Sequence, residues 1–269
     1  MKTSDLEFVC CPSCHGELQL NQEEHLEEII EEGKLVCSQC SLNYSISRSI
    51  PNLFVEAEIL ESDLKFSKQA DEYSKYYDKV LKLFGILMLQ WEPRSRKNNI
   101  QKLGIKADST ILDICTGPGN NLWTLSKYTG TKGKLVAIDL SEKMIEKCYY
   151  NAKKRKVEVS IHRGNGLHLP YVDNSYDVVM CSGGLNTFGD RKAGIMEMIR
   201  VTKDEGLIVI SDEGLKPGME ETRLGKRLLK MNSLYGMKPP LNLLPEDIEP
   251  EVSYYMKDTM YQISFRNKK

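Results

Sequence analysis

Asp113-Ile114-Cys115-Thr116-Gly117-Pro118-Gly119-Asn120-Asn121-Leu122 is the stretch whose reading decides the fold of this chain. The branched run Thr110-Ile111-Leu112-Asp113-Ile114 leading into it has the character of a buried strand, and it ends in glycines. Two glycines spaced G-x-G let the backbone turn sharply and approach a ligand closely. A dinucleotide site would place a third glycine at position 122, where leucine stands, and a pyrophosphate at the next helix N-terminus. Asp113 would then lie beside two negative charges. A carboxylate there suits a cationic ligand better. S-adenosylmethionine (SAM) carries an ammonium and a sulfonium and no phosphate. Twenty residues beyond Gly119, the run Lys134–Asp139 ends in Asp139, placed to accept from both hydroxyls of a ribose. NAD sites use an acid in the same place, so Asp139 alone does not discriminate.

Outward from this loop, strands alternate with helices. Lys134–Asp139, the alternating Val157, Val159 and Ile161, Tyr176–Cys181 and Leu207–Ser211 read as strands two to five. Helices are expected over Asn120–Tyr128, over Ser141–Arg155 with Ser141 as N-cap, and over Arg191–Thr202. Such alternation gives a parallel, doubly wound sheet. Val252–Met256 and Met260–Phe265, separated by Lys257-Asp258-Thr259, read as a hairpin whose last strand enters antiparallel. The expected fold class is α/β, a doubly wound seven-stranded mostly parallel sheet of Rossmann-like type. Before it, Asp63–Trp91 has apolar residues near a 3.6 period, Gly85 is a candidate break, and a second helix is expected over Arg94–Leu103.

The N-terminus is of another kind. Five of the eight cysteines lie in the first 40 residues. Cys11-x-x-Cys14 and Cys37-x-x-Cys40 are separated by 22 residues, a spacing that lets four thiolates share one zinc ion. A unit this small buries little apolar surface, so the metal supplies folding energy. Cys10 is read as a spare thiol, and Glu23–Glu32 as a short acidic helix between the two knuckles. The expected division is a zinc ribbon over 1–55, a helical connector and lid over 56–106, and a cofactor domain over 107–269. Lysine plus arginine number 37 against 38 aspartate plus glutamate, which argues against a dedicated nucleic-acid coat or a polybasic membrane binder. No transmembrane segment and no secretory signal are visible, so the expected setting is cytoplasmic.

The order Ile161-His162-Arg163-Gly164-Asn165-Gly166, Tyr176-Asp177-Val178-Val179, Ser182-Gly183-Gly184 and Arg200–Gly206, together with the glycine loop and Ala70-x-x-Tyr73, resembles the class I SAM-dependent methyltransferases, in particular the ubiquinone/menaquinone C-methyltransferases. The ribbon, with its tail Tyr44-Ser45-Ile46 and Ile50-Pro51-Asn52-Leu53, resembles the small zinc-ribbon proteins that activate tRNA and protein methyltransferases as separate subunits. The first resemblance implies that Gly117 and Gly119 pass beside the methionine part of SAM. Asp113 would hold the loop or meet the ammonium through water. Asp139 would bind the ribose, with Leu140 against the adenine. Asn165 and Gly166 would edge the adenine, with the Asn165 carbonyl accepting from its amino group. Ser182 would line the floor and Tyr73 would close over the site. The chain departs from the pattern at Asn165, where aspartate is usual, at Pro118, and at Lys203-Asp204-Glu205-Gly206, where a proline–glycine turn is usual.

The sequence identifies no catalytic group; Asp212 and Glu213, after the fifth strand, are candidate proton acceptors or substrate anchors. Cys115, Cys148 and Cys181 read as buried packing residues, and His162 and His168 carry no metal-ligand spacing. The favoured reading is a SAM-dependent methyltransferase acting on a small or lipophilic molecule, with peripheral membrane contact through Leu81–Trp91 as one use of that apolar stretch. Its rivals are an RNA or protein methyltransferase that recruits through the ribbon, and a non-catalytic SAM-binding scaffold. The basic clusters Lys153–Lys156 and Arg223, Lys226, Arg227 and Lys230 are read as solvated helix faces.

Overall fold

The computed structural model describes residues 1–21, 28–77, 79, 80, 83 and 92–268, with the side chains of 92 and 93 left aside. Eleven strands form one ordered series, β1-β2-β3-β4-β7-β6-β5-β8-β9-β11-β10. The cofactor-side strands are β5 (Ile111–Ile114), β6 (Leu135–Asp139), β7 (Ser160–Gly164), β8 (Tyr176–Ser182), β9 (Thr202–Glu213), β10 (Glu251–Tyr255) and β11 (Met260–Arg266). The first five are parallel to one another, and β11 inserts antiparallel between β9 and β10. These seven make the expected doubly wound, mostly parallel sheet.

Alternation along each strand sends side chains to both faces. Ile111, Leu135, Ala137, Val178 and Val209 pack in one cluster with Ile100 from α2 (Glu92–Lys102), Leu122 and Leu125 from α3 (Leu122–Leu125), and Ile145 and Cys148 from α4 (Glu142–Arg155). Leu112, Ile114, Val136, Ile138, Val179 and Ile208 face the other way, against Ile195 and Met198 of α5 (Arg191–Val201). After β7 the chain crosses back to lay β8 beside β5, the strand order reverses there, and the open strand ends form the switch point at which such sheets bind ligands.

The ribbon strands are β1 (Leu18–Leu20), β2 (Gly33–Cys37), β3 (Asn43–Ser47) and β4 (Ile50–Leu53). The last of them pairs in parallel with β7, Asn52 opposite Arg163 and Leu53 opposite Gly164. A Cβ on Gly164 would sit 3.0 Å from the Leu53 carbonyl oxygen and 2.6 Å from the Ile138 side-chain tip, so any larger residue would crowd this edge and displace Ile138. Cys10 N donates to Pro170 O at 3.0 Å and Val172 N to Phe8 O at 3.1 Å. Lys134 reaches Ser4 O at 2.8 Å and lies over the Phe8 ring at 4.0 Å. The core does not divide at residue 55: Met1, Val9, Leu18 and Tyr44 pack in the same cluster as Leu169, Tyr171 and Tyr176.

Several elements differ from the sequence reading. Residues 28–32 are not helical, because the N-terminal segment takes their backbone groups; the Met1 ammonium donates to Ile30 O at 3.1 Å and Thr3 N to Glu28 O at 3.0 Å. The rest of that expected helix, 22–27, lies outside the described residues, as do Gly85 and most of Leu81–Trp91. Helix α1, in the segment expected to serve as connector and lid, spans Glu61–Tyr73 and is followed by a turn. The third strand starts at Ser160, since Lys156 caps α4 in the left-handed region and Val157 N is bound to Ala152 O at 3.0 Å. The helix expected over Asn120–Tyr128 is the single turn α3. The fifth strand starts five residues early, at Thr202, directly off α5.

His162 is buried on β7 beneath the ribbon, its Nδ1 3.0 Å from the Tyr171 hydroxyl. Burial pulls its pKa down from 6.5 to about 4. Because the folded value is depressed, neutral His162 contributes stability above the unfolded pKa, and that contribution is lost as pH falls from 6.5 to 4. Buried Asp113, raised to about 6, works in the opposite direction over the same window. The expected result is therefore a difference: between pH 7 and pH 4, wild type should lose on the order of 3 kcal/mol relative to His162→Gln in denaturant titrations. Parallel pH profiles for the two proteins would contradict a neutral buried His162.

Candidate functional site

The glycine loop turns immediately after β5. Cys115, Gly117 and Gly119 all take positive φ, at 54°, 54° and 81°. A Cβ at Gly119 would meet Leu122 at 2.9 Å and Cys148 at 3.0 Å, whereas one at Gly117 would project into open space. Two carboxylates fix this shape. Asp113, fully buried, accepts from Thr116 Oγ1 at 2.7 Å and Asn121 Nδ2 at 2.9 Å. Burial raises its pKa to about 6 against those hydrogen bonds and the charge of Arg96. Asp113 thus holds the loop from behind and does not line the cavity in front. Asp139, at the tip of β6, accepts from Gly117 N at 2.8 Å with one oxygen and from Ser141 N at 2.9 Å with the other. Burial pushes its carboxyl upward in pKa, against those two amides.

A cavity of about 760 Å³ lies over the loop, a size typical of small-molecule sites. Tyr73, Gly117, Asp139, Leu140, Asn165, Gly166 and Ser182 all line it; of the expected cofactor residues, Asp113 and Gly119 stand behind the wall. Ser182 Oγ lies 2.9 Å from Ser211 Oγ and receives Arg96 Nη1 at 3.3 Å. The same Arg96 nitrogen donates to Asn121 Oδ1 at 2.8 Å.

The residues fit SAM. Each Asp139 oxygen has spent one lone pair on an amide and keeps another, so two ribose hydroxyls have acceptors. Asn165 is 4% exposed, and its Nδ2 has no partner among the described residues. Its carbonyl, expected to accept from the adenine amino group, accepts from Leu167 N at 3.0 Å in a local Asx turn and keeps a second lone pair. The orphaned amide is a donor, and it matches a ring nitrogen of adenine. Gly166 has a packing reason as well: a Cβ there would meet Phe188 at 2.4 Å.

The far end of the cavity lies across β8, toward β9 and β11. Glu213 lines it, together with Tyr235, Tyr255, Met231 and Met260. Burial, with the Glu213 charge nearby, raises the pKa of both Tyr73 and Tyr235. Asp212, the other candidate acid, is fully buried and absent from the wall. It accepts from Asn186 N at 2.8 Å and braces the turn after β8. Burial and the neighbouring Glu213 push its carboxyl well up in pKa, while Glu213 stands in the cavity wall.

Three functional side chains carry no local sequence signal. Asp71 on α1 accepts from Ser141 Oγ at 2.5 Å and Lys143 N at 3.0 Å, and Asp63 from Gly189 N at 2.6 Å. These bonds tie α1 down at both ends across the mouth of the cavity. Arg96 is the third. Their partners lie up to 126 residues away in the chain, and only the fold brings them together.

In the ribbon, the Sγ atoms of Cys11, Cys14, Cys37 and Cys40 all lie within 4.8 Å of one another. Cys11–Cys40 and Cys14–Cys37 stand at 3.6 and 3.5 Å. A tetrahedral zinc with bonds of about 2.3 Å requires sulfurs about 3.8 Å apart, so the set fits zinc. Gln39 N and Cys40 N point at Cys37 Sγ from 3.4 and 3.5 Å, and the Tyr44 hydroxyl stands 3.0 Å from Cys11 Sγ. Four thiolates close the coordination sphere, which makes the metal structural. Cys10 is buried outside this group.

The methyltransferase domain family matches residues 105–263, well over half of the chain, and the chain belongs to it. Residues 6–49 match the Trm112p-like protein family. A demethylmenaquinone methyltransferase from Shouchella clausii is 32% identical over 143 residues, 52% of this chain and 60% of the relative. One from Staphylococcus aureus is 34% identical over 137 residues, 51% of this chain and 55% of the relative. The chain thus spans little more than half the length of these curated relatives. Among solved structures, a SAM-dependent methyltransferase from Aquifex aeolicus covers 64% of this chain and 89% of its own at 22% identity, with a TM-score of 0.50. A chain from the complex of the Haloferax volcanii Trm112 methyltransferase activator covers 74% and 99% at 14% identity, with a TM-score of 0.56. At these identities the two structures attest the fold.

One zinc per chain is expected by elemental analysis of protein purified without chelator. Cys37→Ser should lose it and lower the melting temperature. Metal-free protein with an intact ribbon would contradict the assignment.

Proposed function

We propose that this chain transfers the methyl group of SAM to a small lipophilic acceptor held at the Glu213 end of the cavity. The observation that carries the reading is a single cavity running from Asp139 to Glu213, walled largely by tyrosine, methionine and other apolar side chains. Arg96 is the one cation among its described lining residues, and it is bonded to Asn121 and Ser182. A site built to follow phosphates would be lined with lysine and arginine. The curated relatives, named for demethylmenaquinone, support a lipophilic acceptor.

When bound, SAM supplies an electrophilic methyl group on a sulfonium. The work left to the protein is alignment and exclusion of water. Asp139 and Asn165 position the nucleoside, and the Gly117 turn gives the backbone its close approach. Helix α1, tied by Asp63 and Asp71, covers the mouth and brings Tyr73 over the cavity. Glu213 accepts the proton of the methyl-accepting group as the new bond to carbon forms and the carbon–sulfur bond breaks. Asp212 behind it, bonded to Asn186 N, braces the strand end that presents Glu213.

A second reading, recruitment of an RNA or protein substrate by the ribbon, draws on the Trm112p-like match. It is disfavoured because the ribbon packs its apolar side chains into the same core as Leu169 and Tyr171 and so serves the fold.

Methyl transfer to a reduced naphthoquinone, followed by release of S-adenosylhomocysteine, tests the proposal. Wild type should turn over. Glu213→Gln should lower kcat by roughly 10²- to 10⁴-fold with SAM affinity nearly unchanged. Turnover on RNA or protein alone would favour the second reading, and an unaffected Glu213→Gln would remove the proton acceptor.

A further inference from the structure

Helix α6 (Arg223–Met231) has one face that the reaction does not use. Arg223, Lys226, Arg227 and Lys230 follow i, i+3, i+4, i+7 spacing and are exposed, while Gly225 and Leu228 on the opposite face are buried. Lys226 reaches Glu221 at 3.4 Å, an exposed pair of little strength. Arg223, Arg227 and Lys230 have no ion-pair partner among the described residues. Met231, one turn beyond Arg227, continues the cationic face and is 69% exposed.

Met231 also lines the cavity, and it is not alone in being both exposed and in the wall. Phe66 and Tyr73 of α1 and Val80 beyond it are 38%, 39% and 40% exposed and stand in the same wall. The mouth is therefore rimmed by four apolar side chains open to solvent, with a cationic helix ending on the rim. Single exposed apolar residues need no explanation, but a cluster around one opening marks a contact surface.

We propose that this rim docks on an anionic lipid bilayer. Arg223, Arg227 and Lys230 meet the lipid phosphates, and Met231, Phe66, Tyr73 and Val80 enter the boundary between headgroups and acyl chains. The cavity then opens toward the membrane, and a lipophilic acceptor reaches Glu213 without crossing water. This deepens the lipophilic-acceptor reading and rests on it. Charge complementarity alone would also admit RNA. The aliphatic rim decides for lipid, since Val80 and Met231 offer nothing to a phosphate backbone or a stacked base.

Co-sedimentation of the full chain with vesicles tests the surface independently of any acceptor. The protein should pellet with vesicles of phosphatidylcholine containing phosphatidylglycerol and stay in solution with phosphatidylcholine alone, and rising salt should weaken the binding. The triple change Arg223→Glu, Arg227→Glu, Lys230→Glu should reduce partitioning at least tenfold with SAM affinity unchanged. Met231→Asp should reduce it in the intact cationic background. Failure to pellet with anionic vesicles, or pelleting that both variants leave untouched, would overturn the proposal. RNA binding lost in the triple variant, with no vesicle binding, would overturn it in favour of a nucleic-acid surface. Turnover of a water-soluble naphthoquinol in the absence of vesicle binding would leave the acceptor class standing and this docking surface refuted.

Discussion

The carboxylate of Asp139 is the point on which the site depends. One oxygen holds Gly117 N in the turn after β5, and the other holds Ser141 N at the start of α4. Two strand ends and a helix N-terminus are thereby fixed around an anion whose remaining lone pairs face the cavity. Ser141 then caps α4 by accepting from Met144 N, and its own hydroxyl donates a hydrogen bond to Asp71 of α1. The glycine loop, α4 and α1 are linked through Asp139 and Ser141. Loss of that carboxylate would release both the glycine turn and the start of α4.

A second constraint acts at the other edge of the sheet. Edge strands invite further pairing, and β7 would be such an edge on the cofactor side. Here β4 covers it in parallel, and the ribbon's apolar face closes over Tyr171, Tyr176 and Leu169. Gly164 eases the approach and sits between the ribbon and the cavity, since it also belongs to the wall. The zinc site therefore acts at a distance. It holds a unit with little core of its own in the shape that completes the sheet beside Asn165.

What was legible in the sequence was local. The glycine turn, Asp139 at a strand end, the paired CxxC knuckles and the terminal hairpin each announce themselves within a few residues, because strand periodicity, turn chemistry and metal-ligand spacing are short-range signals. Asn165 lines the cavity as expected, and its bond from Leu167 N, two residues on, fixes the amide so that Nδ2 is left without a partner among the described residues, a detail no local pattern announces. Asp212 and Glu213 could not be told apart by adjacency; only the folded structure shows one bracing the turn at Asn186 and the other in the cavity wall. Asp63, Asp71 and Arg96 were illegible because their partners are distant in the chain. The expected helix before Gly33 was lost, where described, to long-range pairing with the N-terminal segment.

The central claim is that SAM lies between Asp139 and Asn165 with its reactive methyl directed along the cavity to Glu213. A crystal structure of the full chain with S-adenosylhomocysteine tests it most directly. The account predicts both ribose hydroxyls on the Asp139 carboxylate, an adenine ring nitrogen within hydrogen-bond distance of Asn165 Nδ2, and the sulfur facing the Glu213 side. A nucleoside bound elsewhere, or one whose ribose leaves Asp139 untouched, would contradict it.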